Sequence, residues 1–121
     1  MTDELKSLIE DAAKLLGLPE GEWFDNYDAD HVCCQSFVVG DTLFDPLDPE
    51  RGDLMKVARA GWMTIRHENG TIDAPIFNSS GFFKHLYNDY FDTDDYQSLA
   101  LAILRAASAV YRARNESDLL P

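Results

Sequence analysis

Three kinds of side chain in this sequence could do chemistry: its three histidines, its two cysteines and its 22 acids. His31 stands two residues before Cys33, and a thiolate beside an imidazole would be a nucleophile. Nothing local orients that imidazole, and His67 and His85 have no activated serine or cysteine near them in sequence. Cys33 and Cys34 are adjacent, so the small ring of a disulfide between them would strain the peptide, and they lack the CxxC spacing of zinc and redox sites. In a strand they would point to opposite faces, which reads as one buried and one exposed thiol in a reducing compartment. Asp25-x-x-Asp28-x-Asp30 and Asp89-x-x-Asp92-x-Asp94-Asp95 are acid-dense enough to test as calcium loops. A calcium loop of the EF-hand type also needs a glycine at its sharp turn and a closing glutamate, and neither stretch has them. Gly40, Gly61 and Gly81 are isolated, so no glycine-rich loop cradles a phosphate. Paired carboxylates for acid–base work can be drawn from 22 acids by chance, so their presence points nowhere. The expectation is a protein with no catalytic residues, no cofactor and no metal.

Charge distribution says more. The 22 acids face only 10 Lys and Arg, a net of −12 over 121 residues. From Pro19 to Glu50 there is no Lys or Arg, yet nine acids: Glu20, Glu22, Asp25, Asp28, Asp30, Asp41, Asp45, Asp48 and Glu50. A field of that sign repels nucleic acid and membrane surfaces and attracts basic protein surfaces. The dense cations, Arg105, Arg112 and Arg114, sit where they complement the dipole of a closing helix. Trp23, Phe24 and Tyr27 interleave the acids, and aromatic anchors ringed by charge are the make-up of an interface hot spot. The candidate partner-binding set is therefore Glu20, Glu22, Trp23, Phe24, Asp25, Tyr27, Asp28, Asp30, Asp45, Asp48 and Glu50. Solubility alone is the competing explanation of the acids.

The elements that must position these residues can be read from periodicity. Residues 2–16 carry Leu5, Leu8, Ile9, Ala12, Ala13 and Leu16 on one helical face, capped by Thr2 and closed by Gly17. Residues 20–31 have no clean period and read as a short helix or loop. Residues 32–39 read as a strand ending at Gly40-Asp41. Asp48-Pro49 has the form of a helix start, with Leu54, Val57 and Ala58 continuing the face and Gly61 stopping it. Residues 62–67 alternate as a strand, Asn69-Gly70 signals a hairpin, and 71–76 return, with Pro75 implying a sheet edge. Ser79-Ser80-Gly81 reads as a loop and 82–91 as a short helix. Residues 93–114 form the longest helix, capped by Thr93, with a wide apolar face through Leu99, Ile103, Leu104, Ala107 and Val110. Leu101, Ala102 and Ala106 extend that face almost all round. Such a helix sits at the centre of the core, or packs a second face on another subunit, in which case a homodimer follows. The tail 115–121 reads as frayed. No stretch approaches the ~18 apolar residues of a membrane span, and the acidic start is unlike a secretory signal, so a cytoplasmic protein is expected. At 45% hydrophobic and 12% aromatic the chain can build one core. The expected fold is a single α+β domain over 1–121: a small, mainly antiparallel sheet of about three strands against an N-terminal, a short middle and a long C-terminal helix.

Two blocks carry a resemblance. Phe44-Asp45-Pro46-Leu47-Asp48-Pro49 with Gly52-Asp53-Leu54-Met55-Lys56-Val57-Ala58 resembles the "WNPLxDDGDALRLAVKL" segment of small phage and prophage proteins. Ala102-Ile103-Leu104-Arg105-Ala106-Ala107-Ser108-Ala109-Val110 is similar to their "RRAIVRAAAEIG" closing helix, and Leu8 to Gly17 loosely matches their "LxxLAAKAAG" helix. Phe44 stands in place of the usual Trp, Glu50-Arg51 replaces an acidic pair, and 74–95 match nothing in the pattern. The resemblance implies a phage accessory gene, acting in the cytoplasm of a bacterial host, and carries no mechanism. With the acidic surface it implies a non-enzymatic protein that binds a basic host protein, in its sharpest form an inhibitor of a defence system such as an anti-CRISPR factor. The alternatives are an assembly protein that oligomerises through the closing helix and a small enzyme whose site is built across the fold.

Overall fold

The computed structural model describes residues 2–28 and 31–115, with the backbone alone for 25–28 and 31–34. The order is α1 (Asp3–Leu15), β1 (Glu22–Asp28), β2 (His31–Val39), β3 (Thr42–Phe44), α2 (Asp53–Ala60), β4 (Thr64–Arg66), β5 (Thr71–Phe77), β6 (Phe83–Tyr90) and α3 (Tyr96–Asn115). The fold is α+β with the three expected helices. Among the described residues the strands form two antiparallel sheets, β1-β2-β3 and β4-β5-β6, rather than one sheet of about three strands.

The helices follow their apolar periodicity. In α1 the Thr2 hydroxyl accepts the Leu5 N–H at 3.2 Å, and Ile9, Ala12 and Ala13 are buried. Helix α3 is the centre of the molecule, packed against α1, α2, β5 and β6. Its Ile103, Leu104, Ala107 and Val110 are fully excluded from solvent. So are Ala102 and Ala106, while Leu99 is also buried. Of the three residues that extend the apolar face, Ala102 and Ala106 are thus buried inside the chain and Leu101 is half-buried. One buried polar cluster ties α1 to α3: Asp11 Oδ2 accepts the Ser108 hydroxyl at 2.6 Å and Arg112 Nε–H at 3.0 Å.

Several sequence expectations are corrected. Residues 22–28 are strand β1, not a short helix or loop, because cross-strand packing decides: Trp23 lies opposite Phe37, which lies opposite Phe44. Helix α2 starts at Asp53 and not at Asp48-Pro49. Asp48 instead forms a turn, its carboxylate accepting the Glu50 N–H at 2.9 Å. Residues 83–90 are strand β6, not a helix, paired with β5 along their length. Helix α3 begins after Asp95, whose carboxylate takes the Gln97 N–H at 3.0 Å, so Asp95 and not Thr93 is its cap. Strand β5 is central in its sheet. Pro75 is tolerated there because β4 ends opposite Asp73, leaving Pro75 with a partner strand on the β6 side only. The hairpin at Asn69-Gly70 and the turn at Ser79-Ser80-Gly81 stand as expected. The expected frayed tail, beyond Asn115, lies outside the described residues.

Candidate protein-interaction surface

The acidic stretch folds as the β1-β2-β3 meander and the loop that follows it. Glu22 pairs with Val38, and Val38 with Leu43, so Glu20, Glu22 and the Gly40-Asp41 turn share one end of the sheet. Adjacent strands are about 4.8 Å apart, which puts β1 and β3 about 10 Å from each other. Glu20, Glu22, Asp41 and Glu50 are exposed. Asp25, Tyr27 and Asp28 continue along β1 toward its far end. Their side chains, and Asp30 altogether, lie outside the described residues, as do the side chains of His31, Cys33 and Cys34.

The two described aromatic residues part company. Trp23 is half-buried, its ring 4.8 Å from that of Phe37, its indole N–H on Glu10 Oε1 at 3.3 Å, with Lys6 Nζ 5.5 Å from the ring centre. Trp23 thus fastens β1 to α1. Phe24, next along the strand, points to the other face and is exposed.

Asp45, Asp48 and Glu50 belong to a loop built around Asp53. The Asp53 carboxylate is buried, accepts the Asp45 N–H at 2.9 Å and pairs with Arg51 at 3.2 Å. Arg51 Nη2 donates onward to the Leu43 carbonyl, and Asp45 Oδ1 takes the Leu47 N–H. The loop docks on the start of α3, where the Tyr96 hydroxyl donates to the Pro46 carbonyl at 3.1 Å and Gln97 Nε2 to the Leu47 carbonyl at 3.1 Å. Burial, helped by the nearby Asp48, raises the Asp45 pKa above the ordinary carboxylate value, against the Leu47 hydrogen bond that lowers it. Burial also raises the Tyr96 pKa, with the carboxylates of Asp48, Asp45 and Asp53 adding to it. The loop from Phe44 to Asp53 is thus held by its own hydrogen bonds and ion pair, and Asp45 is part of its framework.

Where the cations go decides the electrostatics. Among the described residues the ion pairs join Arg51 and Lys56 to Asp53, Arg66 to Asp73, Arg105 to Asp89 and Arg112 to Asp11. Every one of these acids lies outside the candidate set. Glu20, Glu22, Asp41, Asp48 and Glu50 have no basic partner in that group of pairs.

A second surface was not legible in the sequence. The misread strand β6, with the turn before it, exposes Phe82 (71%), Phe83 (60%), Leu86 (48%) and Tyr90 (74%). Phe83 stacks edge-on against Phe77 at 6.0 Å. The signal was present as alternation: Tyr87 and Asp89 are half-buried between exposed Leu86, Asn88 and Tyr90. Trp62, 75% exposed, has a φ of 55° in the turn after α2.

The inward side of β6 carries a titratable pair. The Tyr87 hydroxyl donates to Asp89 Oδ2 at 3.0 Å, and Arg105 Nη1 donates to the same oxygen at 3.3 Å. Burial and this hydrogen bond push the Tyr87 pKa up to about 12. The folded state then holds a proton that the unfolded chain releases near pH 10. The stabilisation is fully present below about pH 10 and falls as pH rises toward 12. Phenolate absorbance is expected to show Tyr87 and Tyr96 ionising late, and Tyr87→Phe to flatten the loss of stability across that window. Unchanged alkaline unfolding in the variant would contradict this. Among the described residues no three His, Cys, Asp or Glu side chains come together as metal ligands. No helix among them is long and apolar enough to cross a membrane.

Compared with known proteins, the chain matches no family model, no curated protein and no solved structure. What it does has to be argued from its own residues.

Proposed function

We propose that this chain is a non-enzymatic accessory protein of a phage or prophage, and that it binds a host protein through the acidic surface between Pro19 and Glu50. One observation carries the reading: the ion pairs of the described fold neutralise Asp11, Asp53, Asp73 and Asp89 and leave Glu20, Glu22, Asp41, Asp48 and Glu50 uncompensated. Other acids are also outside these pairs, but only between Pro19 and Glu50 do nine acids run with no Lys or Arg among them, a spacing that charge spread for solubility does not require. Exposed Phe24 adds an apolar anchor beside Glu22. The complementary partner is a basic groove, and the basic grooves of a cell are those that hold nucleic acid. Carboxylates on a folded surface can occupy such a groove in place of phosphates, which makes inhibition of a nucleic-acid-handling defence enzyme the sharpest form of the proposal.

The test is capture from host lysate by the immobilised protein at two ionic strengths. Charge attraction is screened beyond about 8 Å at physiological salt. A basic protein retained at ~50 mM salt and released at ~500 mM is the expected result. Retention of no basic protein, or retention indifferent to salt, would remove the proposal.

A further inference from the structure

We infer that β6 is a self-association edge: two copies of this chain pair β6 with β6 antiparallel, joining their β4-β5-β6 sheets into one. The backbone hydrogen bonds of β6 show which of its residues face the free edge. The Phe91 N–H donates to the Gly70 carbonyl at 2.9 Å, on the β5 side. Bonding direction alternates along a strand, and the β5–β6 register is regular from His85 to Tyr90. His85, Tyr87 and Asp89 therefore bond toward β5. Leu86, Asn88 and Tyr90 turn their N–H and C=O groups to the free edge. Asp89 Oδ1 takes the Tyr90 N–H at 2.8 Å, which closes that end. Leu86 and Asn88 remain as open docking residues, and no strand of the described residues lies beside them. An uncovered edge of this kind is a template for another strand.

Charge selects the occupant. β6 carries Lys84 and His85 at one end and Asp89 at the other, with Asp92 just beyond. Antiparallel self-pairing sets each basic end beside the acidic end of the other copy, whereas parallel pairing sets like against like. Register is then constrained, because residues opposite one another share a face. Centring the two-fold on Tyr87 satisfies this within the regular stretch. His85 then faces the partner's Asp89, and Leu86 faces the partner's Asn88, where both exchange backbone hydrogen bonds. Phe83, Leu86 and Tyr90 of both copies fall on the outer face as one apolar band. A two-fold contact uses up both edges, so it closes at the dimer. This surface is separate from the acidic one, and neither reading depends on the other.

Sedimentation equilibrium of the full chain tests it, read against the monomer mass of 13.7 kDa. Twice that mass is expected at ~100 µM, with dissociation on dilution. Asn88→Pro removes a donor from the free edge and none from the β5 ladder, and Leu86→Lys puts a charge in the apolar band. Each is expected to weaken the dimer by about tenfold or more with the folded circular-dichroism spectrum retained. Should Asn88→Pro fail to fold, Leu86→Lys, at an exposed position, decides. A wild-type monomer at ~100 µM, a folded variant that dimerises as wild type does, or association continuing past the dimer would each overturn the inference.

Discussion

Ile103→Ala is expected to lower the unfolding free energy by about 2–5 kcal/mol, the loss found when a large buried aliphatic side chain is cut back to alanine. Ile103 is 0% exposed, in the middle of the helix against which α1, α2, β5 and β6 all pack. Its neighbours belong to separate elements held by their own hydrogen bonds, so the cavity cannot close by moving one of them. The upper half of that range follows. Urea unfolding of the variant beside wild type measures it. A loss below ~1 kcal/mol would mean that the centre of the core lies elsewhere.

Gly70→Ala is expected to cost about 3 kcal/mol, from two sources. Gly70 has a φ of +65°, where an L residue is penalised by about 1–2 kcal/mol. A Cβ at this position would also stand 2.5 Å from the Phe91 carbonyl oxygen. That oxygen is backbone, fixed by the same residue pair in which the Phe91 N–H bonds to the Gly70 carbonyl, so it cannot turn aside. Overpacking of this kind adds about 1–3 kcal/mol. Gly40 is the control. Its φ is +63° but nothing lies within 4 Å of the added Cβ, so Gly40→Ala should cost only the conformational part. Equal losses in the two variants, again by urea unfolding, would show that the close contact with Phe91 has no energetic weight.

The helices were legible because each carries its own signal. Thr2 caps α1, and α3 repeats its apolar face over about five and a half turns, signals that need no distant partner. The Asn69-Gly70 hairpin was legible for the same reason. Strands β1 and β6 were not, because what makes them strands lies elsewhere in the sequence. Trp23 is ordered by Phe37, and Tyr87 and Asp89 by Arg105 and by β5. Residue by residue, 82–91 is an aromatic mixture that fits either period. The start of α2 was misplaced because Asp48-Pro49 satisfies the local rule for a helix start, while Asp53 holds the loop through the Asp45 N–H and Arg51. The acidic surface was visible as composition. That Asp45 serves the framework while Glu20, Glu22, Asp41 and Glu50 keep free charge required the ion pairs. The β6 edge stayed hidden behind the helical reading of its residues.

The acidic surface is the central claim, and reversing its free charges while measuring both folding and binding tests it most directly. The variant Glu20→Lys, Glu22→Lys, Asp41→Lys, Glu50→Lys changes exposed side chains with no ion pair among the described residues. Each such surface change is expected to stay within about 0.5 kcal/mol of wild type in stability. Asp95→Lys is the counterpart, removing the cap of α3 and placing a cation at the positive end of its dipole, at a cost of about 1–2 kcal/mol. Affinity for the captured host protein, measured at low salt by titration calorimetry, should fall by at least about tenfold in the fourfold variant, equivalent to ~1.4 kcal/mol, and stay at the wild-type value in Asp95→Lys. Wild-type affinity and wild-type salt dependence in the fourfold variant would contradict the account and leave the acids to solubility.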